Sequence, residues 1–303
     1  MSNQTFIAPP WLKKGDKIGV VSMASILDKP RLFSGKKLME DKFKLEVVLG
    51  KNVLLKHHNF AGTDEQRLQD FQEMLNNSEI KTIIAGRGGY GSTRIIDAVD
   101  WTSFKTNPKW IVGFSDITAV HQKIQSMGYQ SIHGPMVVTL TKDQKSTKSL
   151  HEALLGKILN YKETIHKLNR MGTGEGPIIG GNLCLLAHNI GSKADIPFDG
   201  KILFLEDISE YLYNIDRMMV QLKRAGKLNN LAGLVVGQFS DAKENSTKFG
   251  KSAFGIIKEH TEGYGYPITF NFPIGHDTKN RAIRCGENML LTVANDMVTL
   301  VSK

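Results

Sequence analysis

Two cysteines in 303 residues, Cys184 and Cys285, leave no basis for a disulfide framework, and neither has a partner at metal-ligand spacing. Both read as packing residues. The chain has no run of about 18 apolar residues, which argues against a membrane-spanning helix. Its opening stretch, Met1 to Lys14, is polar, carries Pro9 and Pro10, and lacks the apolar core of a secretory signal. Together these absences predict a cytoplasmic location. No H-E-x-x-H and no Cys/His cluster occurs, so no metal and no other cofactor are expected. Internal repeats and low-complexity segments are also missing.

The hydrophobic fraction of 41% and charged fraction of 23% are those of an ordinary globular protein, long enough for two domains. A net charge of +9 invites an anionic partner. The lysines are scattered, however, and no basic cluster is interleaved with aromatics, so no nucleic-acid surface is predicted. Lys142 to Lys167, the most basic stretch, reads as a solvated helical connector.

Strand and helix signals alternate through the first half. Lys17 to Ser22, a region near Leu45 to Leu49, Ile80 to Ala85 and Trp110 to Val112 read as strands. Lys29 to Lys42, Thr63 to Asn76 and Ile117 to Met127 read as helices, and a further one starts near Ser92. Thr63 and Gln66 form a capping box ahead of Leu68, Phe71, Met74 and Leu75 at helical spacing. Such alternation predicts a wound, mostly parallel sheet with flanking helices over residues 1–140. Residues 141–176 read as a connector closing on G-T-G-E-G-P (Gly172 to Pro177). Residues 177–303 read as a smaller mixed α/β domain, with strands at Lys201 to Leu205, Leu231 to Phe239, Pro267 to Phe272 and Met289 to Val301. Helices are expected there near Gly181 to Gly191 and Ile215 to Ala225.

In wound sheets the working groups gather at the carboxyl ends of strands. Two glycine-bearing turns fall at such ends. Gly86, Gly88 and Gly91 satisfy G-x-G-x-x-G, but the acidic residue of a dinucleotide site is missing around Thr106 to Trp110, as is the lysine of a P-loop. The turn can equally bring backbone amides to a reacting carbonyl, or be a tight turn with no ligand. Ser115 follows the Trp110–Val112 strand and Gly113, on a sharp strand-to-helix turn that would expose its hydroxyl. Ile117 stands where a G-x-S-x-G elbow has its second glycine, and locally Ser115 also reads as a plain helix cap.

His276 sits in a glycine-containing loop after an apolar strand, where an imidazole suits general-base work. His121 and His133 read as core histidines. Glu206 ends the apolar run Ile202 to Leu205, and burying it would require a partner such as an imidazole. The alternative is that Glu206 and Asp207 leave the sheet into solvent.

Taken in order, A-G-R-G-G-Y-G-S (Ala85 to Ser92), G-F-S-D (Gly113 to Asp116), G-G-N-L (Gly180 to Leu183), L-E-D-I-S-E (Leu205 to Glu210), I-D-R-M (Ile215 to Met218) and I-G-H (Ile274 to His276) resemble one family. It is the L,D-carboxypeptidases, which include muramoyltetrapeptide carboxypeptidase and the microcin-C-resistance serine peptidases. The resemblance implies Ser115 as nucleophile, His276 as base and Glu206 as its acid, with the backbone amides of Gly89 and Asp116 as oxyanion donors. It also implies a site between two domains, commonly in a homodimer. The substrate would be a murein tetrapeptide stem losing a C-terminal D-amino acid such as D-Ala in cell-wall recycling; the other branch of the family implies peptidyl-adenylate analogues. Leu212 stands where the family often has proline, which puts the shape of that loop in question.

Overall fold

Strand and helix alternate through the first half as the hydrophobic pattern requires. The computed structural model describes residues 5–303; Met1 to Gln4, the start of the polar opening segment, lie outside the described residues. The chain runs β1 (Lys17–Val21), α1 (Lys29–Leu38), β2 (Glu46–Leu49), α2 (Asp64–Asn76), β3 (Ile80–Ala85), α3 (Ser92–Ile95), α4 (Thr102–Thr106), β4 (Trp110–Gly113), α5 (Thr118–Ser126) and β5 (Ser131–His133). It continues with α6 (Gln144–Leu154), β6 (Asn160–Thr164), β7 (Gly172–Asn182), α7 (Leu183–His188), β8 (Ile202–Ile208), α8 (Leu212–Arg224), β9 (Gly233–Ser240) and α9 (Ala253–Thr261). β10 (Ile268–Thr269), β11 (Ile283–Cys285), β12 (Asn288–Val293) and β13 (Met297–Ser302) complete it.

Two sheets result, in the orders β11-β5-β4-β3-β1-β2 and β10-β9-β8-β7-β12-β13-β6. In the first, β1 to β5 are parallel, while β11 returns from the second half and adds antiparallel to β5. In the second, β7 to β10 are parallel and β12, β13 and β6 antiparallel. The capping box at Thr63 is present in both halves and starts α2 as expected.

Side-chain parity explains how the sheets meet. Ile18, Val20, Ile84, Trp110 and Val112 of the first sheet share one buried cluster with Ile202, Phe204, Val235 and Leu291 of the second. Their chain neighbours point the other way, because alternate residues on a strand face opposite sides. Val21, Ile83 and Ile111 pack with Phe71, Phe104 and Val120 beneath the helices of the first sheet. Leu203, Leu205, Leu234 and Val236 pack under α7, α8 and α9. The central cluster is therefore common to both halves of the chain.

Several expectations need correction. Gly172 to Pro177 is the first half of the long strand β7, not a connecting loop. Glycine is poorly represented in strands, yet a Cβ on Gly174 would collide with the Ala232 carbonyl, so the close passage of two backbones demands it. The basic stretch before it is not simply solvated: α6 buries Ser149, Leu150, Ala153 and Leu154, and β6 is a sheet edge. Met289 to Val301 is a hairpin of two strands, the Pro267–Phe272 strand shrinks to Ile268–Thr269, and α9 was not anticipated. The cysteines are free, Cys285 buried and Cys184 partly so. No helix of the described residues is long and apolar enough to cross a membrane.

Phe204 is fully buried in the central cluster and meets His133 of the first sheet edge-on, ring centroids 5.0 Å apart. Phe204→Ala should cost about 3–5 kcal/mol of stability, read as a lowered midpoint in urea unfolding. A loss below about 1 kcal/mol would contradict a core shared between the sheets.

Candidate active site

β3 and β4 are neighbours, so the glycine turn after Ala85 and the turn after Gly113 lie side by side at their carboxyl ends. Ser115 has φ of 63°, the left-handed region that an L-residue enters at a cost of about 1–2 kcal/mol. Its neighbours hold it there. The glycine turn passes so close that a Cβ on Gly88 would lie 3.0 Å from Ser115 Cβ. Only glycine leaves that space clear.

Ser92 and Asp116 tie the two turns together. The Asp116 carboxylate accepts the Ser92 amide at 2.8 Å, and the Ser92 hydroxyl donates to the Asp116 carbonyl at 2.7 Å. Burial raises the Asp116 pKa from its ordinary value against the pull of these hydrogen bonds. Buried Arg67 braces the turn from below, donating to the Gly91 carbonyl at 3.0 Å and the Met23 carbonyl at 2.5 Å. Gly89 and Asp116, the two expected oxyanion donors, are thus held relative to each other. Gly89 lies on a cavity wall.

Glu206 extends the β8 row of Ile202 and Phe204, and is fully buried. His276 Nδ1 meets its Oε2 at 2.6 Å, so the partner that burial demanded is present and Glu206 does not leave the sheet into solvent. Glu206 Oε1 is also buried and has no hydrogen-bond partner among the described residues. Burial pushes the imidazole pKa down, but the charge and hydrogen bond of Glu206 outweigh it, and the net shift is upward from 6.5. The His276 loop is pinned on both sides. Gly275 N donates to Asn280 Oδ1 at 3.1 Å, Asp277 N to Gln238 Oε1 at 3.2 Å, and Ser240 Oγ to Asp277 Oδ1 at 2.7 Å.

Asp207 is buried as well. It accepts from Asn182 Nδ2 at 2.8 Å and the Cys184 amide at 3.0 Å, while the Asn182 amide donates to Thr118 Oγ1 at 3.0 Å. Burial, then the charge of Glu206, pushes the Asp207 pKa up to about 7. A hydrogen-bonded belt thus runs from α5, just beyond Ser115, through β7 to the residue beside Glu206. Thr118, Asn182 and Asp207 were not foreseen as site residues. An asparagine directly before Leu183 to Leu186 is a helix-cap signal, and Asn182 does cap α7 through the Leu185 amide at 3.3 Å.

Ser115 and His276 line one cavity of about 440 Å³, with Gly88, Gly89, Phe114 and Met136. The Phe114 ring meets the His276 ring edge-on at 4.9 Å. Ser115 and His276 do not hydrogen-bond directly here, and such bonds commonly tighten only with substrate in place. His121 and His133 are both fully buried. Each has one ring nitrogen bonded, His121 to the Gly113 carbonyl at 2.9 Å and His133 to Asn280 Oδ1 at 3.3 Å; Nδ1 of each is unpartnered among the described residues. Desolvation lowers the pKa of both, so they are neutral near pH 7.

Backbone strain at Ser115 has a thermodynamic signature. Ser115→Gly relieves about 1–2 kcal/mol of left-handed penalty and gives back about 0.4–1 kcal/mol through a looser unfolded chain. Thermal unfolding should find it more stable than Ser115→Ala by about 1 kcal/mol. A glycine variant no more stable than the alanine one would rule out strain at this turn.

Residues 18–134 match the LD-carboxypeptidase N-terminal domain and residues 175–291 the LD-carboxypeptidase C-terminal domain. A probable murein peptide carboxypeptidase of Bacillus subtilis is 34% identical, covering 94% of this chain and 92% of that protein. The microcin C7 self-immunity protein MccF of Escherichia coli is 25% identical, covering 100% of this chain and 98% of that one. Among solved structures, the muramoyltetrapeptide carboxypeptidase of Oxalobacter formigenes superposes with a TM-score of 0.85 at 27% identity, covering 94% of this chain and 98% of that one. This chain belongs to the LD-carboxypeptidase family.

Proposed function

We propose that the protein is a serine carboxypeptidase that releases a C-terminal D-amino acid, D-Ala, from murein tetrapeptide stems during cell-wall recycling in the cytoplasm. Membership of the family makes it a peptidase with a carboxypeptidase role. The observation that carries the finer reading is the 2.6 Å Glu206–His276 pair on the same cavity as a strained, strand-end Ser115. In this reading Glu206 holds Nδ1, which leaves Nε2 to take the Ser115 proton while Oγ attacks the carbonyl before the terminal residue. The amides of Gly89 and Asp116 receive the oxyanion. Nε2 then protonates the leaving amine, the C–N bond breaks, and a water deprotonated by the same imidazole frees the acyl group. The acting form is taken to be a homodimer, on the family resemblance.

The likeness to MccF along the whole chain favours a second reading, hydrolysis of peptidyl-adenylate analogues at the same serine. A side-by-side assay of a tetrapeptide stem and a peptidyl sulfamoyl adenylate separates the two.

Mass spectrometry of a tripeptide-D-Ala substrate should show loss of one D-Ala with wild type. Ser115→Ala should lower turnover by roughly 10⁴–10⁶-fold, and equal turnover by both proteins would refute the assignment. The pH profile gives an independent check. The base must be neutral, and its pKa is raised above 6.5, so kcat/KM should climb with pH through a midpoint above 6.5. Glu206→Gln removes what raises that pKa while burial, which lowers it, remains. The acid limb should then move to lower pH as the plateau falls roughly 10⁴-fold; a limb that stays put or moves up contradicts the pairing.

A further inference from the structure

The cavity over Ser115 carries more positive charge than its own framework uses. Arg31, Arg87 and Lys142 line it, against a single acid, Asp28. One oxygen of Asp28 is engaged in capping α1, accepting the Arg31 amide at 2.9 Å. Arg87 Nη1 donates to the Ile26 carbonyl at 3.1 Å, which steadies the guanidinium and leaves its other donors free. None of the three cations forms an ion pair among the described residues, whereas Arg281 nearby pairs with Asp143 at 2.8 Å. The rest of the lining is largely apolar or glycine, with Phe114, Met136, Val138 and Ile208.

Two of these cations belong to segments next to the chemistry. Arg87 directly precedes Gly88, the residue packed against Ser115. Lys142 lines the same cavity and shares a second, smaller recess with His276. Its charge reaches the imidazole and opposes protonation there. An anion held between Arg87 and Lys142 would therefore share the cavity with Ser115 and His276.

We propose that Arg87 and Lys142, with Arg31 adding charge, form the subsite that grips an anionic group on the leaving-group side of the scissile bond. This rests on the peptidase reading and names what it recognises: the free α-carboxylate of the terminal residue. The same chemistry fits the anionic linkage of an acyl-adenylate analogue, so the substrate source is a matter for the assay. Charge at this place makes the enzyme an exopeptidase, because an internal peptide bond or a capped terminus offers a neutral amide where the cations expect an anion. A planar guanidinium and a point-charge ammonium serve a carboxylate well, the first by a bidentate fork and the second by charge.

The test compares kcat/KM for a tripeptide-D-Ala substrate with its C-terminal amide, in wild type and in Arg87→Gln/Lys142→Gln. Both substrates use Ser115 and His276, so the acid-to-amide ratio cancels any change in the imidazole or in folding. Wild type should prefer the acid by at least about 100-fold, and the double variant should bring that ratio to within about threefold of one. A peptidyl sulfamoyl adenylate forms the third arm. If its turnover, and not that of the acid, drops in the variant, the recognised anion is the adenylate linkage. A wild type that cleaves acid and amide equally, or a variant that keeps the wild-type ratio, overturns the subsite while leaving the carboxypeptidase reading intact. A wild type that hydrolyses none of the three removes that reading and the subsite with it.

Discussion

A carboxylate with no solvent exposure must be compensated, and at Glu206 the compensation is His276 at 2.6 Å. Much of the architecture around the site follows from satisfying that one group. β8 carries Glu206 inward on the same row as Ile202 and Phe204, so the acid enters the face where the two sheets share a core. The loop that brings the imidazole to it is fastened by Asn280, Gln238 and Ser240. Close packing is required there as well: a Cβ on Gly275 would sit 3.2 Å from Glu206 Cβ. Low local dielectric makes the pair strong, and it equally makes Glu206 costly without its partner.

The opposing half of the site is built by a different device. Ser115 is held in a left-handed conformation by the strand that leads to it, by the glycine turn alongside and by the Ser92–Asp116 tie. Thr118, Asn182 and Asp207 then join that half to the strand carrying Glu206. Because the two sheets also share one apolar cluster, the halves are coupled by both packing and hydrogen bonds. Side chains held on strand ends of a rigid scaffold can be positioned more finely than side chains on free loops.

The parts of this arrangement that were legible in the sequence are those with local physical signals. The Thr63 capping box, the apolar runs of β1, β3 and β4, and the abrupt acid after Leu205 each announce themselves within a few residues. The convergence of Ser115, Glu206 and His276 had no such signal, and came from the ordered motifs of a family rather than from spacing. What stayed hidden depends on long-range contact. The strand role of Gly172 to Pro177 is set by the Ala232 carbonyl passing against it, and composition alone points to a loop. β11 crosses from the second half to edge the first sheet, a pairing of distant segments that no window of sequence displays. The cations of the cavity come from α1, the glycine turn and the segment before α6, and each looks like an ordinary surface charge until the fold assembles them.

Leu212 shows how a departure from the family pattern can be read physically. It is the first residue of α8, a position where proline is well tolerated because the amide there lacks an intrahelical acceptor. In this chain the Leu212 amide donates instead to the Lys243 carbonyl at 3.0 Å, and the Lys243 amide donates to the Glu210 carbonyl at 2.7 Å. With proline at this position only the second of these bonds could form, since proline has no amide hydrogen to donate. Leucine therefore adds one backbone bond that fastens the segment after β9 to the start of α8, four residues beyond Ile208 on the cavity wall.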